Sequence, residues 1–438
     1  MGKIIRHSIV SPFALGRFKY EIREIVAFGH QLQKLGVRDI IWENIGDPIH
    51  KGEKLPDWIK DVVGKLVADD LTWGYTATQG EMDTRKFLCN RVNRRGGVQI
   101  TADDIVFFNG LGDAVARLFG AMKREARVIG PSPAYPTHSS AEAAHSGYDH
   151  VTYGLRYEDN WSPDLEELEN KVKYNDTIAG ILIINPGNPT GAVYSRDIIE
   201  KIVDIARRYG LMVIADEIYS NITYNGATMT CLSDVIAEVP GISLKGISKE
   251  YPWPGGRSGW IEVYNQHMDR SFSEYVTSII QAKMLEVCST SLPQRSIPLV
   301  MGDPRYEGHL ENRRRVFEAR TNEAVAIFEK VPGISVVRPR GAFYMSIVFN
   351  PGVLRPDQTL PIDNADIRAF VEARLSGLEL DKRFAYYLLA ARGICVVPLT
   401  GFCCPLHGFR ITTLECDDEK RVGTWHRIAQ AITDYVNS

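Results

Sequence analysis

The residues of this chain best suited to chemistry recur at one kind of place, directly after a short apolar run. Lys249 follows GISLKGIS (241–248) and precedes YPWPGGR (251–257), where two prolines and two glycines break the chain before Arg257. Asp216 and Glu217 close LMVIA (211–215), and Tyr219 follows. NPGNPTG (185–191) comes after AGILII and presents the Asn188 amide, while PSPAYP (131–136) comes after RVIG and carries Tyr135. After DIVFF, the stretch NGLGDAVARLF (109–119) sets a glycine turn before a helix, so the amides of Leu111 and Gly112 fall at a helix amino terminus, where anions bind. Taken singly, these are an ordinary lysine, turn aromatic or glycine turn. A carboxylate ending an apolar strand is more demanding, because it must reach solvent or meet a cation.

The apolar runs supply the geometry. DIVFF, AGILIIN and LMVIADE are almost wholly apolar before a polar end, the pattern of strands buried on both faces. Between the last two, a helix is predicted from about Arg196 to Tyr209, capped by Ser195, stopped by Gly210 and apolar along one broad face. The repeated strand, helix, strand order predicts an α/β fold with a mostly parallel central sheet flanked by helices. Ligands of such sheets sit beyond the carboxyl ends of the strands. Parallel strands would therefore bring an anion nest, an aromatic ring, an amide, a carboxylate with a phenol, and a lysine to one edge. That set suits a flat, phosphorylated, cationic aromatic ring to be attached to an amine, and pyridoxal 5′-phosphate meets the description.

At 438 residues the chain exceeds one minimal core. A large domain is expected over 51–315, with 1–50 and 316–438 joining as a smaller α/β domain that carries an amino-terminal arm. The 51 basic and 54 acidic residues are mixed along the chain, so no basic field for nucleic acid arises. The most basic run, ENRRR (311–315), is read as a solvated helix face. Seven scattered cysteines argue for a reducing compartment and against a zinc ribbon or disulfide framework. No membrane span, signal peptide or metal site is expected, and the reading is cytoplasmic.

Further motifs carry a resemblance. YTATQGEMDTRKFL (75–88), NPGNPTG, VIADEIY (213–219), SK with Arg257 eight residues after the lysine, RGAFY (340–344) and GFR (408–410) resemble, in order and interval, the fold-type I pyridoxal-phosphate enzymes of the class I/II aminotransferase family. The resemblance spans nearly the whole chain. It implies that Lys249 forms the internal aldimine and shuttles the substrate proton, and that Asp216 pairs with the pyridinium nitrogen. It further implies that Asn188 and Tyr219 bond the phenolic oxygen, that Tyr135 stacks on the ring, and that Arg257 grips the phosphate with the Leu111 and Gly112 amides. Tyr75 would reach the phosphate of a neighbouring subunit, implying a homodimer with shared sites. Arg410 and Gly46 would bind the substrate α-carboxylate, with Asn188 beside them.

Two departures stand out. Gly246 occupies a position, three before the lysine, where a phosphate-binding serine is common, leaving Ser248 as the substitute. CCPLHGFR places Cys403, Cys404 and His407 where the resemblance assigns no role, and packing or turn positions are expected for the cysteines. The resemblance implies transamination between an amino acid and a 2-oxo acid; the alternative is a carbon–sulfur β-lyase using the same groups. Arg6, Arg17, Arg23, Arg38 and Arg295 are candidates for a substrate side-chain carboxylate, and Phe13 and Phe18 for an apolar one.

Overall fold

The computed structural model describes residues 21–438; the expectations at Arg6, Phe13, Arg17 and Phe18 lie outside them. An eight-stranded sheet runs in the spatial order Ile105–Phe108, Gly259–Tyr264, Gly241–Gly246, Met212–Asp216, Ile178–Ile184, Arg127–Ser132, Thr152–Arg156 and Ser162–Pro163. The pairs from Gly241–Gly246 through Thr152–Arg156 are parallel. Gly259–Tyr264 runs against both its neighbours, so Ile105–Phe108 points the same way as the parallel set. The carboxyl ends of all the strands singled out in the sequence therefore share one edge.

The strands are buried on both faces, as their unbroken apolar runs require. One core sets Ile181, Ile183, Val213 and Ala215 against the helix Arg196–Tyr209. A second sets Leu182, Ile214, Ile242 and Leu244 against the helices Leu111–Gly120 and Arg270–Met284. Arg196–Tyr209 has its predicted ends: the Ser195 hydroxyl accepts from the Ile198 amide, and Gly210 takes φ +67°.

A separate apolar core joins Ile25, Phe28 and Leu32 near one end of the chain to Phe328, Phe384, Trp425 and Tyr435 near the other. Its sheet has the order Ile334–Val336, Tyr344–Phe349, Gly408–Thr412, Val397–Pro398, all antiparallel. In this sheet Arg410 lies opposite Ser346 and Val397, which fixes the direction of its side chain by the pleat.

The run ENRRR corrects an expectation. It lies on the helix Arg305–Phe328, but of its three arginines only Arg315 has the open exposure of a solvated face, at 72% of its side chain. Arg314 is mostly covered, and Arg313 is buried, because its turn of the helix faces the strand end carrying Lys249.

Candidate active site

After strand Gly241–Gly246 the chain makes a single helical turn, Ile247–Glu250, instead of an open loop. Ser248 and Lys249 lie on that turn. The Lys249 Nζ donates to the Gly46 carbonyl at 2.5 Å and stands 5.6 Å from the Phe343 ring centre. Burial lowers its pKa to about 8; Asp47 opposes the shift, while Arg410, Arg313 and Arg257 reinforce it.

Asp216 ends its strand buried, and its partner was not foreseen. His138 Nε2 lies 2.7 Å from Asp216 Oδ2, and the Ile218 amide donates to Oδ1 at 3.2 Å. The signal was in the sequence, since His138 stands one turn into the helix Pro136–Ser146, just after Tyr135 at the same sheet edge. Tyr135 caps that helix, with its ring centre 6.5 Å from the His138 ring.

Asn188 is buried in the loop after Ile178–Ile184, and its Oδ1 accepts from Arg410 Nη1 at 3.0 Å. Arg410 Nη2 donates to the Asn44 carbonyl at 2.6 Å, and the guanidinium lies 4.4 Å over the Tyr344 ring. Its Nε has no partner among the described residues, so a buried cation keeps unused donor capacity. Tyr344 also accepts from the Tyr219 hydroxyl at 3.1 Å. Burial first, and then Tyr344, hold the Tyr219 phenol well above its ordinary pKa, so it remains an O–H donor. The RGAFY motif contains Tyr344, yet nothing in the sequence assigns it this place between Tyr219, Arg410 and Gly46. A Cβ on Gly46 would sit 2.2 Å from the Tyr344 oxygen, so glycine is needed for the close approach.

At the other end of the site, the helix Leu111–Gly120 begins after Gly110 at φ +86°. Arg257 lies across that terminus, with Nη1 on the Pro254 carbonyl at 3.0 Å and Nη2 on the Asn109 carbonyl at 3.4 Å. A Cβ on Gly110 would fall 2.3 Å from Arg257 Nη2, so glycine admits the guanidinium beside the residue that precedes the helix. Strand ends thus present a cationic nest, a buried carboxylate, two amide or phenol donors and a lysine amine. This donor set fits a phosphorylated pyridinium aldehyde.

Other expectations fall elsewhere. Arg295 pairs with Glu81 at 2.7 Å, with Asp69 farther off at 3.5 Å, and Arg23 and Arg38 are exposed. Tyr75 is 86% exposed. Cys403 takes a left-handed turn at φ +57° and its carbonyl accepts from the Ser132 hydroxyl at 2.6 Å, whereas Cys404 is buried, which pushes its thiol up to about 12. His407 Nδ1 stands 3.8 Å from an Asp381 carboxylate oxygen, and that neighbour raises the His407 pKa.

A parallel sheet with a lysine and an aspartate at adjacent strand ends, and an arginine delivered from a second sheet, defines a fold-type I transferase. The chain belongs to the family described as aminotransferase class I and II, which matches residues 38–422. An uncharacterized aminotransferase of Methanocaldococcus jannaschii is 51% identical over 419 residues, 96% of this chain and 97% of the relative. The glutamate-pyruvate aminotransferase AlaA of Escherichia coli is 30% identical over 330 residues, 74% of this chain and 79% of the relative. An alanine aminotransferase structure from Pyrococcus furiosus matches with a TM-score of 0.81 at 28% identity, covering 97% of this chain and 99% of the other. The protein is an aminotransferase, and these relatives favour transamination over the β-lyase reaction. The family is generally dependent on pyridoxal phosphate.

Proposed function

We propose that the protein binds pyridoxal 5′-phosphate and exchanges the amino group of alanine with 2-oxoglutarate, giving pyruvate and glutamate. The substrate pair is suggested by the glutamate-pyruvate and alanine aminotransferases among its relatives. The observation that carries the reading is the Lys249 amine, half-buried on its turn, with its pKa lowered to about 8 by desolvation and by Arg410, Arg313 and Arg257. When bound, the cofactor supplies an electron sink for the bond breaking at the substrate Cα. Lys249 would provide the amine that holds the aldehyde and, when free, would take the proton from the substrate Cα and deliver it to the aldehyde-derived carbon on the far side of the amino nitrogen. A neutral amine is needed for this, and a pKa of about 8 keeps an appreciable fraction neutral near physiological pH.

Asp216, backed by His138, offers its carboxylate to the ring nitrogen, and Asn188 and Tyr219 donate to the phenolic oxygen. Tyr135 covers the ring face. Arg257, the Leu111 and Gly112 amides and the Ser248 hydroxyl hold the phosphate. Arg410 and Gly46 receive the substrate α-carboxylate; the unused Arg410 Nε supports that assignment. Residues 51–315 act as the cofactor domain, and the two chain ends as a smaller substrate-side domain.

The working form is a homodimer. Leu71, Trp73, Tyr75, Met284 and Leu285 are all exposed in the single chain. They form neighbouring segments, because the Ser291 hydroxyl holds the Thr72 carbonyl at 2.5 Å and Thr290 holds the Arg257 carbonyl at 3.3 Å. A second copy covering them would carry its Tyr75 to the Arg257 end of the site. No helix of the described residues is long and apolar enough to cross a membrane, and the seven unpaired cysteines suit a cytoplasmic setting.

The test is single turnover. With alanine alone, the loaded enzyme should release one pyruvate per site and stop until 2-oxoglutarate is added. Continuous release of pyruvate and ammonia from an amino acid with a leaving group on Cβ, without any 2-oxo acid, would establish the lyase instead.

A further inference from the structure

Arg313 divides its guanidinium between two tasks. Nη1 donates to the carbonyls of Lys249 at 2.6 Å and Glu250 at 2.8 Å, while Nε and Nη2 grip the Glu53 carboxylate at 2.6 and 3.2 Å. The carbonyls belong to the end of the one-turn helix Ile247–Glu250, which is too short to satisfy them internally. Glu53 belongs to the turn after Gly46, whose carbonyl accepts from Lys249 Nζ. That turn is closed by the Glu53 amide on the Pro48 carbonyl, and Lys51 is tied to Glu43 at 3.0 Å. The contacts thus form a ring: from the lysine amine to Gly46, along the chain to Glu53, through Arg313, and back to the lysine carbonyl.

Resting on the proposed role of Lys249, we propose that Arg313, anchored by Glu53, is a positioning residue that fixes the lysine-bearing turn relative to the Gly46 segment and so aims the amine. Arginine suits the task because its rigid fork bonds a carboxylate on one side and carbonyls on the other, which a lysine ammonium on a flexible stem does not reproduce. The surroundings leave the guanidinium little freedom. Phe317 lies 5.3 Å below it, and His309, one turn earlier on the same helix, is held down to about 4 by burial and by Arg313 itself, so it remains neutral. Glu250 is occupied in turn by Asn221. The other charged groups acting on Lys249 are Asp47, Arg410 and Arg257.

The experiment compares wild type, Arg313→Met, Glu53→Gln and, as a control on the solvated side of the helix, Arg315→Ala. Two readouts are used: kcat and KM of the loaded enzyme, and the pH dependence of Lys249 acylation by trace acetic anhydride in the cofactor-free full chain, followed by mass spectrometry of the Lys249 peptide. Arg313→Met should lower kcat roughly 10- to 100-fold with KM little changed, and move the acylation midpoint upward from about 8 because a neighbouring cation is lost. Glu53→Gln, which keeps Arg313 but loosens its anchor, should lower kcat in the same direction by a smaller factor and speed Lys249 acylation. Arg315→Ala should match wild type. If Arg313→Met does not fold, Glu53→Gln decides alone. Wild-type kcat and an unchanged acylation profile in folded Glu53→Gln overturn the proposal, even if its Tm falls, since a purely structural role moves Tm only. Full activity in Lys249→Ala would instead overturn the reading on which the proposal rests.

Discussion

The two sides of the site differ in how far one chain completes them. On the Lys249 side, Asp216, Asn188, Tyr219 and Arg410 are buried and already bonded to one another or to His138, Tyr344 and Asn44. On the Arg257 side the guanidinium is exposed, and beyond it Trp73, Tyr75 and Leu285 stand at 76%, 86% and 88% exposure. Large apolar side chains clustered in the open mark a surface made to be covered. The comparison teaches that the Lys249 side is organised within one chain, whereas the Arg257 side is left open, as the proposed homodimer would require.

The sharpest break falls on the completed side. Lys249→Ala should reduce turnover on the order of 10⁴-fold, since both amine attachment and proton transfer are lost. Stopped-flow and steady-state assays with alanine and 2-oxoglutarate check this. pH supplies the sign. Below about 8 the amine is increasingly protonated, so capture of the aldehyde by the cofactor-free protein should rise about tenfold per pH unit up to that value and then level off. A flat profile from pH 6 to 9 would show that the amine is not the titrating group.

Next in size is Arg410→Lys. The charge survives, but the fork that holds Asn188 and Asn44 while stacking on Tyr344 does not. A loss of about 1.5–3 kcal/mol is expected for a charged hydrogen-bonded contact, roughly 10- to 100-fold in kcat/KM for amino-acid substrates. Binding of cofactor alone should be unchanged. Equal losses in both would mean that Arg410 supports the fold and not the substrate.

On the open side, Leu285→Asp puts a charge on the most exposed apolar residue of the rim. Sedimentation should show the dimer dissociating at concentrations roughly tenfold or more above wild type, and activity should fall with the dimer fraction. A monomer with full activity would undo the comparison.

How much of this was legible in the sequence follows the same division. Strand ends were readable because strands buried on both faces are continuous apolar runs with an abrupt polar stop, and the order of the motifs named Lys249, Asp216, Asn188, Tyr219, Arg257 and Arg410. The partners that hold those residues were not legible. His138, Tyr344 and Asn44 meet them across 78, 125 and 366 positions of sequence, and no local period encodes such pairs. Arg313 was misread for a related reason: a basic run on a helix looks solvated until the turn that faces the lysine is known.

The smallest effect concerns Gly246, where the sequence departs from the serine often found. Its φ of −178° is extended backbone open to any residue, so the cost of a side chain is one of space. Gly246 pairs with Gly259 across the antiparallel strands, and a Cβ would meet the Ser258 carbonyl oxygen at 3.0 Å, the Gly259 Cα at 3.1 Å and Ile218 Cδ1 at 3.2 Å. Gly259 is itself pressed on the anion nest, since a Cβ there would reach Leu111 Cδ2 at 2.8 Å and the Leu111 amide nitrogen at 3.2 Å. Lysine strand, return strand and helix terminus are thus stacked backbone to backbone. Gly246→Ser should cost about 1–3 kcal/mol through overpacking, read as a Tm lower by a few degrees, and should not tighten phosphate or cofactor binding. A serine that stabilised the protein or raised its affinity for inorganic phosphate would show that the stack has room to spare, and that the phosphate end is as nearly complete within one chain as the lysine side.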